Sequence, residues 1–428
     1  MEEMKRYDSY KDSGIEWIGE IPEHWEISRM KFYLNYQKGK NPKEFMFTES
    51  EDSEVYLTMD YLRGNQKQIL YVGDVNNYVK VEQNEILLLW DGSNAGEFVL
   101  SKKGILSSTM AILNIKNIQK GFTWYYFKHF ETQLKESTIG MGIPHVNGEE
   151  LRNGVITLPL PVEQTSITNF LDLKTSEIDE IIADKKRLLV LYEEEKTAII
   201  NQAVTNGLDP NVPMKDSGIE WLGEIPEHWE VKKINWNFEN IGSGTTPKAD
   251  NQLYYHNGNI NWLLTGDLND GEIYDTSKKI TQKAIDDYGT LRVYPTESIV
   301  IAMYGATIGK LGMLKIETTV NQACCVLSKP IYFNNKFAFY VLLAARPEII
   351  NMSYGGGQPN ISQELIKSFR VPVPPISEQQ SIVHHIESEC SKIDFKKART
   401  EELIELLTEY RTALISEAVT GKIKVTED

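Results

Sequence analysis

The residues best equipped for chemistry in this 428-residue chain do not assemble into a catalytic set. Seven histidines (His24, His129, His145, His228, His256, His384 and His385) show no spacing that would bring two ring nitrogens onto one metal. Three cysteines, Cys324, Cys325 and Cys390, can complete neither a four-thiolate zinc site nor a disulfide framework. "GATIGKL" at 305–311 resembles a phosphate-binding loop, but one residue is missing between the glycines and no Ser or Thr follows Lys310. No catalytic residue, metal site or resident cofactor is therefore expected. What remains is hydrogen-bonding chemistry: short side chains and lysines on glycine-rich segments, where the backbone can approach a ligand closely. Such donors and acceptors suit the reading of base edges, with lysines on nearby phosphates.

These candidates fall in two groups. The first holds Ser93 and Asn94 in "GSNAG", Lys102 and Lys103, Ser108 and Thr109, and His145 and Asn147 in "GMGIPHVN". In the second are Thr245, Thr246 and Lys248 of "GSGTTPK", then Tyr304, Thr307 and Lys310. Asn321, Gln322, and Gln358 with Asn360 in "GGGQPN" complete it. GMGIPHVN and GGGQPN occupy the same place in two parallel arrangements, each following a helix-like stretch (GFTWYYFKHFETQLKES and NKFAFYVLLAARPEIINMS).

The elements that must position these groups are themselves duplicated. "KDSGIEWIGEIPEHWE" begins at Lys11 and "KDSGIEWLGEIPEHWE" at Lys215, differing only at Ile18 against Leu222. A second repeat closes each half, residues 163–206 against 378–421 at a constant offset of 215, each after a proline-rich, strand-like lead. The second lead reads PPIS where the first reads PV before its Glu-Gln, so the two joins are expected to differ. Both closing segments lack proline, as helices must. In the first, Ile178, Ile182, Lys185, Leu189, Tyr192, Lys196, Ile199 and Ala203 follow four-then-three spacing. Ile393, Lys397, Thr400, Ile404, Leu407, Arg411, Leu414 and Ala418 repeat it in the second. That heptad seam predicts two helices of roughly 60 Å packing lengthwise on each other. Lys196 and Arg411 interrupt the seam at equivalent positions; they either fix helix register or extend their charges to solvent. Trp17, Trp25, Trp221 and Trp229, with Ile21-Pro22 and Ile225-Pro226, read as a packing motif seating the start of each domain.

Between the repeats lie two regions of β-branched and aromatic runs punctuated by Gly, Asn and Asp. The fold class is accordingly α+β: two globular mixed α/β domains with two long helices packing as an antiparallel coiled coil and an internal pseudo-twofold repeat. The expected boundaries are 1–160, 161–207 for the central helix, 208–374, and 375–428 for the C-terminal helix. A net charge of −16 argues against a generic nucleic-acid binder. Yet residues 27–157 sum to zero and 231–372 to plus two, so the acidity sits in the repeats and helices. No run approaches a membrane span and the first ten residues lack a signal-peptide core, which points to a cytoplasmic protein without a membrane partner.

The combination of the SGIEWIGEIPEHWE block, GSGTTPK, "INWLLTGDL" at 260–268 and "PVPPISEQ" at 372–379, in this order and with its duplications, resembles the specificity subunit of a bacterial type I restriction–modification system. The resemblance covers essentially the whole chain. It implies two target recognition domains, each reading one half of a bipartite double-stranded DNA target, with the helices fixing the gap. It also implies two adenine methyltransferase subunits as partners, then restriction subunits that translocate and cut DNA. S-adenosylmethionine, ATP and Mg would belong to those partners. In keeping with this, the Asn-Pro-Pro-aromatic signature of an adenine methyltransferase is absent from the sequence. Half-sites read by such a two-headed protein should lie about one helical turn apart, roughly 34 Å. Two other readings stay open on the residues alone: an endonuclease with a hidden metal-dependent carboxylate site, and a coiled-coil scaffold displaying two protein-binding domains.

Overall fold

The computed structural model describes residues 5–140, 142–353 and 360–425. The chain forms two compact units, one comprising the residues up to Lys186 together with those from Glu401, the other Arg187–Thr400. Each unit therefore contains a globular domain and a length of both long helices, Pro161–Asn206 and Ile376–Val419.

In the first unit an antiparallel sheet runs in the order Leu34–Lys38, Met110–Ile115, Ile86–Leu89, Phe98–Leu100. Its strand Ile86–Leu89 is buried on both faces, which explains four consecutive aliphatic residues. Ile86 and Leu88 pack against Phe122, Tyr126, Phe127 and Phe130 of the helix Lys120–Glu136. Leu87 and Leu89 meet Leu57, Val81 and Leu106 of a smaller sheet on the other side.

The second unit repeats the plan. Ile299–Ala302 lies inside a five-stranded sheet, with Ile299 and Ile301 facing Phe337, Val341 and Ala345 of the helix Asn335–Asn351. Val300 and Ala302 face Leu263 and Val320. Alternation at period two thus divides each central strand between two cores.

Within each unit the two long helices are antiparallel. In the first, Arg411 Nη2 donates to Asp179 Oδ2 at 3.0 Å, and Ile178 shares a core with Leu414, Ile415 and Ala418. In the second, Lys196 Nζ donates to Asp394 Oδ1 at 2.8 Å and Lys397 Nζ to Glu193 Oε1 at 2.6 Å. Higher numbers on one helix meet lower numbers on the other. Lys196–Asp394 and Asp179–Arg411 are one ion pair made twice, each partner displaced by 215 residues. Both cations are thus engaged across the seam, each with an aspartate that is about half exposed.

The duplicated blocks seat on helix ends. Trp25 and Ile21 are fully buried in the core that holds Val419 and Ile423, while Trp229 and Ile225 pack with Ala203 and Val204. Gly421 and Gly207, both with φ near +70°, end the helices where a side chain would strike Pro22 or crowd Trp229. The N-terminal block therefore sits on the end of the C-terminal helix, and Lys424 N donates to Lys5 O at 2.8 Å.

A glutamate fixes each block. Glu163 accepts from His24 Nε2 at 3.0 Å and Trp25 Nε1 at 3.3 Å; Glu378 accepts from His228 Nε2 at 2.8 Å and Trp229 Nε1 at 3.0 Å. The neighbouring Gln164 and Gln379 donate to Pro159 O and Pro374 O. The joins consequently match, contrary to the expectation drawn from PPIS. Residue 376 opens its helix as residue 161 does, and the offset of 215 runs unbroken from strand to helix.

Candidate nucleic-acid interface

One end of each main sheet carries the same backbone frame. In the first unit Trp90 N donates to Thr109 O at 2.7 Å and Val146 N to Trp90 O at 2.9 Å. The second unit makes the same bonds, Met303 N to Ala323 O at 2.8 Å and Ile361 N to Met303 O at 2.7 Å. An isolated bridge then joins Asp91 to His145 in one and Tyr304 to Asn360 in the other. The turn at 92–96 corresponds to that at 305–309, with positive φ at Gly92, Gly96, Gly305 and Gly309. The loop that resembled a phosphate binder is thus the counterpart of GSNAG.

A third segment completes the frame, and the sequence reading identified it in only one unit. "GKNPK" at 39–43 occupies the place of "GTTPK" at 244–248; Gly39 N donates to Met110 O and Gly244 N to Asn321 O. Each glycine lies against backbone: a Cβ would come within 2.2 Å of Ser107 O at Gly39 and 1.7 Å of Val320 O at Gly244. The repeated Gly-x-x-Pro-Lys, 205 residues apart, is the signal that could have revealed the first copy.

The frames carry different side chains. In the first unit His145 Nδ1 lies 2.6 Å from Asp91 Oδ1, and Lys38 Nζ 3.4 Å from Asp91 Oδ2. Lys38 also stands over the Trp90 ring at 5.1 Å, and that ring packs against Tyr36 with centroids 4.5 Å apart and planes tilted by 38°. Ser108 Oγ donates to Asn41 Oδ1 at 2.6 Å, and the Ser107 and Thr109 hydroxyls lie 3.0 Å apart. In the second unit Thr246 Oγ1 donates to Gln322 Oε1, and Tyr288 OH receives Lys248 N at 3.2 Å.

Most of the predicted residues come together here, and some do not. Ser93, Asn94, Ser108, Thr109 and His145 share the first frame; Thr245, Thr246, Lys248, Tyr304, Thr307, Lys310, Asn321, Gln322 and Asn360 share the second. Lys102 and Lys103 follow the strand Phe98–Leu100 at its other end, where Lys102 donates to Tyr61 O and covers the Tyr61 ring. Asn147 caps the helix Gly148–Asn153, accepting from Glu149 N, and so has a structural task. The Asn321 carboxamide accepts from Ala323 N. Gln358 lies outside the described residues. Lys38, Asn41, Trp90 and Asp91 join the frame without having been singled out by sequence.

Among the described residues no group of three or more His, Cys, Asp or Glu is arranged to hold a metal ion. None of their helices is long and apolar enough to cross a membrane.

A family model for the type I restriction modification DNA specificity domain matches residues 22–189 and again 226–405. The chain belongs to this family. It is 31% identical over 417 residues to the type I restriction enzyme MjaVIII specificity subunit of Methanocaldococcus jannaschii, covering 95% of this chain and 94% of that protein. With the EcoBI specificity subunit of Escherichia coli it shares 21% identity, covering 96% and 89%. In fold it is similar to the HsdS subunit of Thermoanaerobacter tengcongensis, with a TM-score of 0.52 at 14% identity over 94% of this chain and 98% of that one. A TM-score of 0.70, again at 14% identity, relates it to a chain from a structural study of complex assembly and conformational transition in a type I R-M system, covering 93% and 98%. The two matches to the DNA specificity family coincide with the two frames: each contains one complete copy.

Proposed function

We propose that this specificity subunit reads a bipartite, asymmetric DNA target, one half-site per globular domain, and delivers partner enzymes to it. The observation that carries the proposal is one backbone frame built twice with unlike side chains at its tips: Lys38, Asp91 and His145 against Ser243, Tyr304 and Asn360. A repeated frame supports docking on a repeated object, the duplex, and unlike tips support unlike sequences. Exposed lysines beside each frame, Lys40 and Lys43 in one and Lys248 in the other, suit phosphates. The recognition domains are taken as 1–160 and 208–374, and the helical segments 161–207 and 375–428 set the gap between half-sites.

The partners in this reading are two methyltransferase subunits and, with them, restriction subunits. The long helices support protein docking by exposing large apolar side chains, among them Val190, Leu191, Phe395 and Leu406 at 50–70%. S-adenosylmethionine, ATP and Mg act on the partner subunits, and the assembly works in the cytoplasm.

Methylation mapping in a cell carrying this chain and its methyltransferase tests the proposal. A two-part methylated-adenine motif should vanish when the chain is deleted. Exchange of residues 208–374 for those of another specificity subunit should replace one half only. Unchanged methylation in both experiments would refute it.

A further inference from the structure

We infer that Asp91, Lys38 and His145 read one C·G base pair in the half-site of the first unit. Asp91 accepts from the cytosine N4 amine and Lys38 donates to guanine O6 and N7. The inference rests on the DNA-reading proposal above and names both the determinants and the base pair.

Spacing supplies the first argument. Lys38 Nζ and Asp91 Oδ2 form a donor–acceptor couple 3.4 Å apart. The amine and carbonyl that a C·G pair turns to the major groove are each other's Watson–Crick partners, so they lie about 2.9 Å apart. A carboxylate placed on the amine therefore brings the ammonium onto the carbonyl. Guanine rather than thymine suits the lysine, because O6 and N7 offer two adjacent acceptors, whereas beside thymine O4 stands a methyl group.

The geometry is also held in advance. His145 Nδ1 occupies Asp91 Oδ1, leaving Oδ2 on the Lys38 side. Lys38 rests over Trp90, whose ring packs at a tilt against Tyr36. Gly148 leaves room for that ring pair, since a Cβ there would lie 2.9 Å from the Tyr36 hydroxyl. Trp90 is 8% exposed and is a fixed platform, so little side-chain freedom is lost on binding. In the second unit the positions are Ser243, Tyr304 and Asn360, with neither carboxylate nor ammonium. The carboxylate–ammonium couple is therefore specific to the first unit's frame.

The test maps methylated adenines in cells carrying the complete system with Asp91→Asn, Asp91→Ala or Lys38→Met. Each variant should relax the motif at the same single position, a C·G pair in one half. Methylation at sites altered there should rise about 10- to 100-fold relative to the parent, the discrimination of one good bidentate contact. The other half and the gap should not change. An unaltered motif with Asp91→Asn, relaxation at an A·T pair, or relaxation of different pairs by the Asp91 and Lys38 variants would overturn the inference. Loss of all methylation with Asp91→Ala beside an unaltered motif with Asp91→Asn would do the same. Failure of the parent chain to direct any two-part motif would instead refute the DNA-reading proposal.

Discussion

Replacing Glu163 by alanine should destabilise the first unit more than the equivalent Glu378→Ala destabilises the second. The Glu163 side chain is 10% exposed and accepts three hydrogen bonds, from His24 Nε2, Trp25 Nε1 and Leu160 N, the last at 3.0 Å. Trp25 is wholly buried, so alanine strands its indole N–H; it also takes the acceptor of the Leu160 amide, which lies on a residue 56% exposed and passes in part to water. A buried donor without an acceptor costs about 1–3 kcal/mol, so the Trp25 indole and a partly hydrated Leu160 amide together cost about 2–3 kcal/mol. The exposed His24 adds little. At Glu378 the side chain is 28% exposed, and Pro375 stands where Leu160 supplies its N–H. Only Trp229 then loses an acceptor that water cannot fully replace, a cost of about 1–2 kcal/mol. Urea unfolding followed by tryptophan fluorescence reads both. With a slope of about 2 kcal/mol/M, the midpoint of the first unit should fall by about 1–1.5 M and that of the second by about 0.5–1 M. Glu163→Gln should recover about half the loss, since its amide oxygen can still accept from Trp25. Equal shifts for the two alanine variants would show that the Leu160 amide and the deeper burial of Glu163 contribute nothing.

Burial lowers the pKa of His129 to about 4, so the folded first unit excludes a proton that the unfolded chain binds below pH 6.5. Its stability should therefore fall as pH drops through 6.5 towards 4, by about 2 kcal/mol at pH 5, and urea midpoints measured against pH should flatten in His129→Phe. Burial pushes the Cys325 thiol up to about 12 and raises that of Cys324 as well. A maleimide should label the half-buried Cys390 alone in the native chain and all three thiols in denaturant, counted by mass spectrometry. Gly244→Ala would drive a methyl group into the Val320 carbonyl, so thermal melting should show a loss of about 3 kcal/mol, together with loss of the half-target read by the second unit. The Lys196–Asp394 pair has an aspartate 57% exposed, and a double-mutant cycle on it should give a coupling below about 1 kcal/mol.

Much of the architecture is visible along the chain because its causes are local. Heptad spacing and the absence of proline define two helices, β-branched and aromatic runs between turn residues mark strands, and the duplicated blocks announce a duplicated plan. The glycine-rich candidates were legible for the same reason, since a tight turn restricts its own residues. Less was legible of the site. Asp91 and His145 meet across 54 residues, Lys38 and Asp91 across 53, and nothing near any of them in sequence marks the pairing. Asn147 looked free to read a ligand until the helix it caps was placed beside it.

The repeat, the helices, the strand-forming runs and the segments able to turn are all written in local sequence. Packing between distant segments set the rest: the N-terminal block seats on the end of the C-terminal helix, Glu163 and Glu378 hold the tryptophans of those blocks, and a carboxylate, an imidazole and an ammonium converge in the first frame. The physical reason is range. Periodicity records which face of an element is buried, but the partner that buries it is chosen by packing among segments tens to hundreds of residues apart.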